Sequence, residues 1–257
     1  MSDKVHGLRS FHASPLGGMA ARLLRARMAA LWPEAGRLDV AGIGWARPFL
    51  KGLPSGPGRR LLLTPETLHA ADGARVQEGR LPLPDRCLDG IVLAHALEAS
   101  HAPRALLREC WRVLRDHGRL LVLAPNRLGN WALFEHTPFG QGRPFSPGQA
   151  QRLLESQMFR VTRRDGALFQ PPLPWRWAVN LAPVWEGPGR WAMGRFAGVL
   201  VLEAEKDAFA ALPAGAAAAR RRVVVPVSPA AARRDARVRS PGPLAEPAPG
   251  SASSRGS

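Results

Sequence analysis

His95 and Glu98 stand three positions apart, directly after an apolar run, in Ala94-His95-Ala96-Leu97-Glu98. An unperturbed imidazole titrates at about pH 6.5, so it exchanges protons at physiological pH. The two residues suit a substrate-side polar pair with His95 as general base. A loop or helix-capping histidine is the plain alternative. Asn126 closes a second apolar run, and Arg143 lies in the Gly-, Pro- and aromatic-rich stretch from Asn126 to Phe145, where a guanidinium suits an anionic ligand or simply solvent. Gly42-Ile43-Gly44 offers backbone without Cβ atoms, which suits either a bound molecule or a tight turn. Glu78, beside Gln77, is a further carboxylate in a loop. The sequence contains no HExxH, CxxC, P-loop or GxSxG motif, and no tyrosine.

The elements that must position these residues follow from periodicity. Leu88 to Ala94 and Leu120 to Leu123 are near-continuous apolar runs, as expected of parallel strands covered on both faces. Between them Pro103 to Arg115 reads as a helix, with Leu106, Leu107, Cys110, Trp111 and Leu114 on one stripe and Gly118 after its end. Strand, helix, strand implies a right-handed parallel crossover. Ligands of such sheets bind beyond the carboxyl ends of the strands, which places His95 at the mouth of a pocket. Earlier in the chain, Leu16 to Trp32 reads as a helix, Arg37 to Ala41 as a strand running into the Gly42–Gly44 turn, Arg59 to Leu63 as a strand, and Ala74 to Gln77 as a short one. Later, Ser146 caps a helix from Pro147 to Gln157, and Phe159 to Arg164 and Gly198 to Glu205 are the final strands. A tryptophan-rich stretch, with Trp175, Trp177, Trp185 and Trp191, separates those two.

The chain has 257 residues, 46% of them hydrophobic, enough for one sizeable core. Residues 1–15 read as a flexible arm, and residues 213–257, rich in Ala, Pro, Gly, Ser and Arg, as a disordered tail. The net charge is +16, and the tail holds eight arginines against Asp235 and Glu246. That balance is compatible with a nucleic-acid or anionic-membrane partner, and equally with a general compositional bias. Cys87 and Cys110 form no disulfide framework. With no leader-like segment and no transmembrane segment in the sequence, the expected location is cytoplasmic. Oligomeric state is not legible.

The stretch Leu81 to Asn126 resembles the second half of a class I S-adenosylmethionine-dependent methyltransferase domain, of the group called methyltransferase type 11. Leu81-Pro82-Leu83-Pro84-Asp85 resembles that family's LPF-D loop, and Leu106 to Asn126 resembles its LxExxRVLxPGG step, with Arg115-Asp116-His117-Gly118 at the turn. His136 to Ser146 resembles a stretch of a bacterial subgroup. The resemblance spans about Leu16 to Lys206. It implies an α/β, Rossmann-like, mostly parallel seven-stranded sheet with helices on both faces and the last strand antiparallel, over residues 16–212. It also implies S-adenosylmethionine as cofactor and in-line methyl transfer to an unidentified acceptor. Carried over by motif, Gly42 and Gly44 form the glycine loop at the cofactor. Thr64 stands where an acid binds the ribose, with Glu66 two residues on. Glu78 lies near the adenine amino group and Leu81 on the adenine face. His95 becomes the catalytic candidate, with Glu98, Asn126 and Arg143 on the acceptor side. Trp45 and Pro48 depart from the family's small residues, and Thr64 from its acid. Those departures support a second reading, a non-catalytic methyltransferase-like binding or scaffold protein that holds a polyanion through its basic tail.

Overall fold

The computed structural model describes residues 3–68, 73–134, 137–173 and 196–207, with 175, 179, 181, 182, 184, 186 and 189 between the last two segments. Within them lie seven strands: β1 Val40–Gly44, β2 Arg60–Pro65, β3 Ala74–Val76, β4 Leu88–Ala94, β5 Leu114–Pro125, β6 Phe159–Ala167 and β7 Val199–Lys206. Five α-helices accompany them: α1 Asp3–Ala13, α2 Pro15–Leu31, α3 Arg47–Leu50, α4 Pro103–Val113 and α5 Pro147–Glu155. The tail of residues 213–257, along with His136, Trp177, Trp185 and Trp191, lies outside the described residues.

The strands form one sheet in the order β3-β2-β1-β4-β5-β7-β6. β1 to β5 run parallel, and β7 is antiparallel to both β5 and β6. Sequence alternation assigns the two faces. In β4, Val92 and Ala94 join Met19, Leu24, Met28 and Phe49 on the α2–α3 side, while Ile91 and Leu93 join Leu106, Cys110 and Leu154 on the α4–α5 side. Side chains two apart share a face, so a continuous apolar strand feeds two cores at once.

The LPLPD loop is held by α4. Arg112 donates to the carbonyls of Leu81 and Leu83, at 3.1 and 2.9 Å, and to Asp85 at 2.6 Å. Glu109 accepts the Leu81 N–H at 2.8 Å and the Arg112 guanidinium. The Glu and Arg of the helix motif therefore fasten the preceding loop.

Three sequence expectations change. β1 begins three residues later than predicted, so Gly42 is inside the strand, paired with Leu62 and Val92, rather than in a loop. A Cβ at Gly42 would lie 2.6 Å from both Ala46 Cβ and Leu50 Cδ1, so this glycine lets α3 lie against the strand. The expected flexible arm, residues 1–15, contains α1, with Leu8 and Phe11 buried. Ser14 makes the corner into α2, its hydroxyl bonding the Phe11 carbonyl and accepting the Gly17 N–H at 3.1 Å. Finally, α4 stops at Val113 and the chain extends at once from Leu114, so Gly118 belongs to β5.

Candidate active site

The carboxyl ends of β1, β2 and β4 converge under α1. Gly44 ends β1 with φ +92°, and a Cβ there would lie 2.2 Å from the Ala94 carbonyl oxygen. Only glycine tolerates both the backbone region and the approach. The next N–H, from Trp45, donates to that same Ala94 oxygen at 2.8 Å. The turn after β1 is thus locked against the end of β4, and the residue that follows Ala94 is His95.

His95 is buried and itself has φ +53°. Its Nδ1 lies 3.0 Å from Glu98 Oε1, and the two side chains are 6% and 4% exposed. The spacing is that of an ion pair, yet the N–H is not aligned, and neither Glu98 oxygen receives a hydrogen bond. Phe139 packs on the His95 ring with centroids 4.9 Å apart. The His12 ring, from α1, sits 6.0 Å from the His95 ring and stacks on Trp45 at 6.2 Å. Both His12 nitrogens are shut off from solvent without a hydrogen-bond partner. Burial, then His95 and Arg25, push the His12 pKa down to about 3, so this ring is neutral at pH 7. Beside the pair is a cavity of about 40 Å³, walled by Leu8, Leu68, Ala99, Pro138, Gln141 and Gly142 with His95 and Glu98.

The remaining sequence candidates are placed as follows. Thr64 is buried near the end of β2, and Glu66 is exposed immediately beyond it, with no ion pair among the described residues. Glu78 is engaged on both oxygens, by the Thr67 hydroxyl at 2.8 Å and by the Ser100 hydroxyl at 2.5 Å. Leu81 is core, 2% exposed. Asn126 is buried, and its amide donates to the Ala197 carbonyl at 2.7 Å while its Oδ1 accepts the Leu128 N–H. It ties the end of β5 to the start of β7. The Arg143 side chain is exposed, and its backbone N–H donates to the Glu98 carbonyl at 3.3 Å. The structure therefore brings His95 and Glu98 together and sets Asn126 apart as a fastening residue. Asp39 is at the opposite, amino-terminal end of β1, where hydrogen bonds from Arg59 hold its carboxyl at about 2. Sequence reasoning missed His12 altogether. The one local signal was Phe11-His12 just before the cap Ser14, an apolar–polar pair in a segment read as an arm.

A family model described as a methyltransferase domain matches residues 63–122, from β2 to β5. The chain has the fold of a class I methyltransferase domain. Its seven-stranded sheet is shared with a SAM-dependent methyltransferase from Thermotoga maritima (16% identity, TM-score 0.53, covering 75% of this chain and 91% of that one). A SAM-dependent methyltransferase from Archaeoglobus fulgidus is similar at 17% identity, TM-score 0.50, over 72% of this chain and 94% of that one. The [4+2]-cyclase SpnF is similar at 16% identity, TM-score 0.50, over 72% and 80%. No curated protein matches the sequence. S-adenosylmethionine is the cofactor of the class, but the fold also serves a cyclase, so the methyltransferase domain alone does not name a reaction. The donor set here fits such a cofactor in part. Glu66 is an exposed, acceptor-only carboxylate at the end of β2, suited to a ribose diol. Glu78 is already saturated by the protein.

Proposed function

We propose that this protein is an S-adenosylmethionine-dependent methyltransferase in which His95 is the general base and Glu98 its orienting carboxylate. The observation that carries this reading is the buried His95–Glu98 pair, 3.0 Å apart, at the carboxyl end of β4 and against the Gly44–Trp45 turn. When bound, the cofactor supplies a methyl group already made electrophilic by its sulfonium. The chain's residues then have to hold, align and dehydrate the partners. Glu66 would take the ribose hydroxyls, and the turn after Gly44 would face the methionine part. Leu8, Trp45 and Leu68 form a buried apolar group that excludes water from the reacting end. His95 removes the acceptor's proton, and Glu98 stabilises the imidazolium that results. The acceptor is not fixed by this reading. Arg143, exposed on the loop that leads from β5 to α5, remains the candidate contact for an anionic part of it.

Calorimetric titration of the whole protein with S-adenosylmethionine and S-adenosylhomocysteine tests the reading. One saturable site of micromolar affinity is expected, weakened by Glu66→Gln with the melting temperature unchanged. A folded sample that binds neither compound at millimolar concentration would overturn it.

A further inference from the structure

Eight buried side-chain polar atoms lack a hydrogen-bond partner among the described residues, and five of them belong to three side chains grouped around His95: both ring nitrogens of His12, the Trp45 indole nitrogen, and both oxygens of Glu98. Native proteins satisfy nearly all such groups, so a local concentration marks a position where something else completes the bonding. Glu98 fixes what that is. Its side chain is 4% exposed and lines the cavity of about 40 Å³. A carboxylate is acceptor-only, and a buried one favours a donor that also carries positive charge; His95 stands 3.0 Å away but aligns no N–H on it. Of the other walls, Leu8, Leu68, Ala99, Pro138 and Gly142 are apolar, and Gln141 is polar but uncharged, so none offers a second charge. Phe139 packs against the His95 ring and is not itself a wall of the cavity. A cavity this size holds a head group of a few atoms.

We infer that the cavity beside Glu98 is a subsite for the ammonium end of a small aliphatic amine, which makes the methyl acceptor an amine. The second clause rests on the proposed function; the binding itself does not. For transfer, the acceptor must first lose one N–H proton to His95. The nitrogen lone pair then forms the new N–C bond while the C–S pair stays on sulfur, leaving a neutral thioether. An alcohol of the same size offers one hydrogen and no charge to Glu98, and a carboxylic acid anion meets it as a like charge.

The test is an NMR titration of the histidine ring signals of the full chain with ethylamine, ethanol and acetate in turn. Saturable shifts of His95 and His12 with ethylamine, at an affinity about tenfold or more above ethanol and with no response to acetate, are expected. Glu98→Gln should remove the preference for the amine. Its fold is checked by its melting temperature, which should hold because glutamine keeps the shape of the side chain and a polar end beside His95. Equal affinity for ethylamine and ethanol, an ethylamine affinity unchanged in Glu98→Gln, or no shift with any of the three would overturn the inference. S-adenosylhomocysteine titrated into the same samples separates the two claims. Cofactor binding without amine selectivity removes the amine subsite and leaves methyl transfer standing.

Discussion

Gly44 and His12 show how single residues decide this site. The Gly44 backbone has φ +92° and touches the Ala94 carbonyl, so Gly44→Ala forces a Cβ into a backbone oxygen. A loss of at least about 2 kcal/mol is expected from the conformational penalty alone. Urea unfolding would measure it, together with loss of cofactor binding. Gly42→Ala also destabilises, through Leu50 and Ala46, so lost binding in that variant would not by itself locate the cofactor. His12 makes a prediction about pH. Its folded pKa of about 3 is below its unfolded value, so between pH 6.5 and 3 the unfolded chain holds a proton that the native one refuses. Stability from this residue is therefore complete above pH 6.5 and falls as pH drops, by up to about 1.4 kcal/mol per unit. Urea midpoints measured from pH 7 to pH 4 should decline less steeply in His12→Gln. Burial also pushes the Cys110 thiol up, so Cys110 should resist alkylation until the protein unfolds, as peptide mass spectrometry can follow.

At the scale of elements, the step from LPLPD through α4 to β5 is a fastening device. Arg112 holds two loop carbonyls, Asp85 and Glu109 at once. Arg112→Ala should cost about 2–3 kcal/mol by leaving Glu109 and those carbonyls under-bonded. The cost would appear as a lower urea midpoint with an unchanged slope. Because the loop precedes β4, this loss should also loosen His95 and Glu98, visible as faster exchange of the amides from Leu88 to Glu98. The same residues are the ones that make the family motif recognisable. The motif therefore announces the fold more firmly than it announces chemistry. α1 is the opposite case. It has no family signature, yet it carries Leu8, Phe11 and His12 onto the site, with Phe11 edge-on to Trp131 and Phe139 at 6.3 and 6.0 Å.

At the scale of the whole molecule, the charge of +16 raises the question of a polyanion. If the arginines of residues 213–257 bind one, removing those residues should abolish the binding and leave the melting temperature of the remaining chain unchanged. Binding by the full chain should weaken steeply as salt rises. Fluorescence anisotropy with a labelled oligonucleotide at several salt concentrations measures both. Among the described residues no helix is long and apolar enough to cross a membrane.

The sequence by itself determined the sheet and its order of elements. Apolar runs such as Leu88–Ala94 and the stripe of α4 encode burial locally, and burial is what strands and helices answer to. It also placed His95 just beyond the carboxyl end of β4, because the residue after a buried parallel strand stands at that edge of the sheet. Strand register was less legible. β1 runs on to Gly44 because pairing continues to Ile43 with β2 and to Gly44 with β4, and neighbouring strands decide that. Tertiary structure alone decided the make-up of the site. His12 reaches His95 from 83 positions away through the folding back of α1, and Asn126 is claimed by Ala197, 71 positions on. Spacing along a chain cannot report such meetings, since they depend on where whole elements pack. The missing hydrogen bonds at Glu98 were also beyond it, because whether a buried carboxylate is bonded depends on everything that surrounds it.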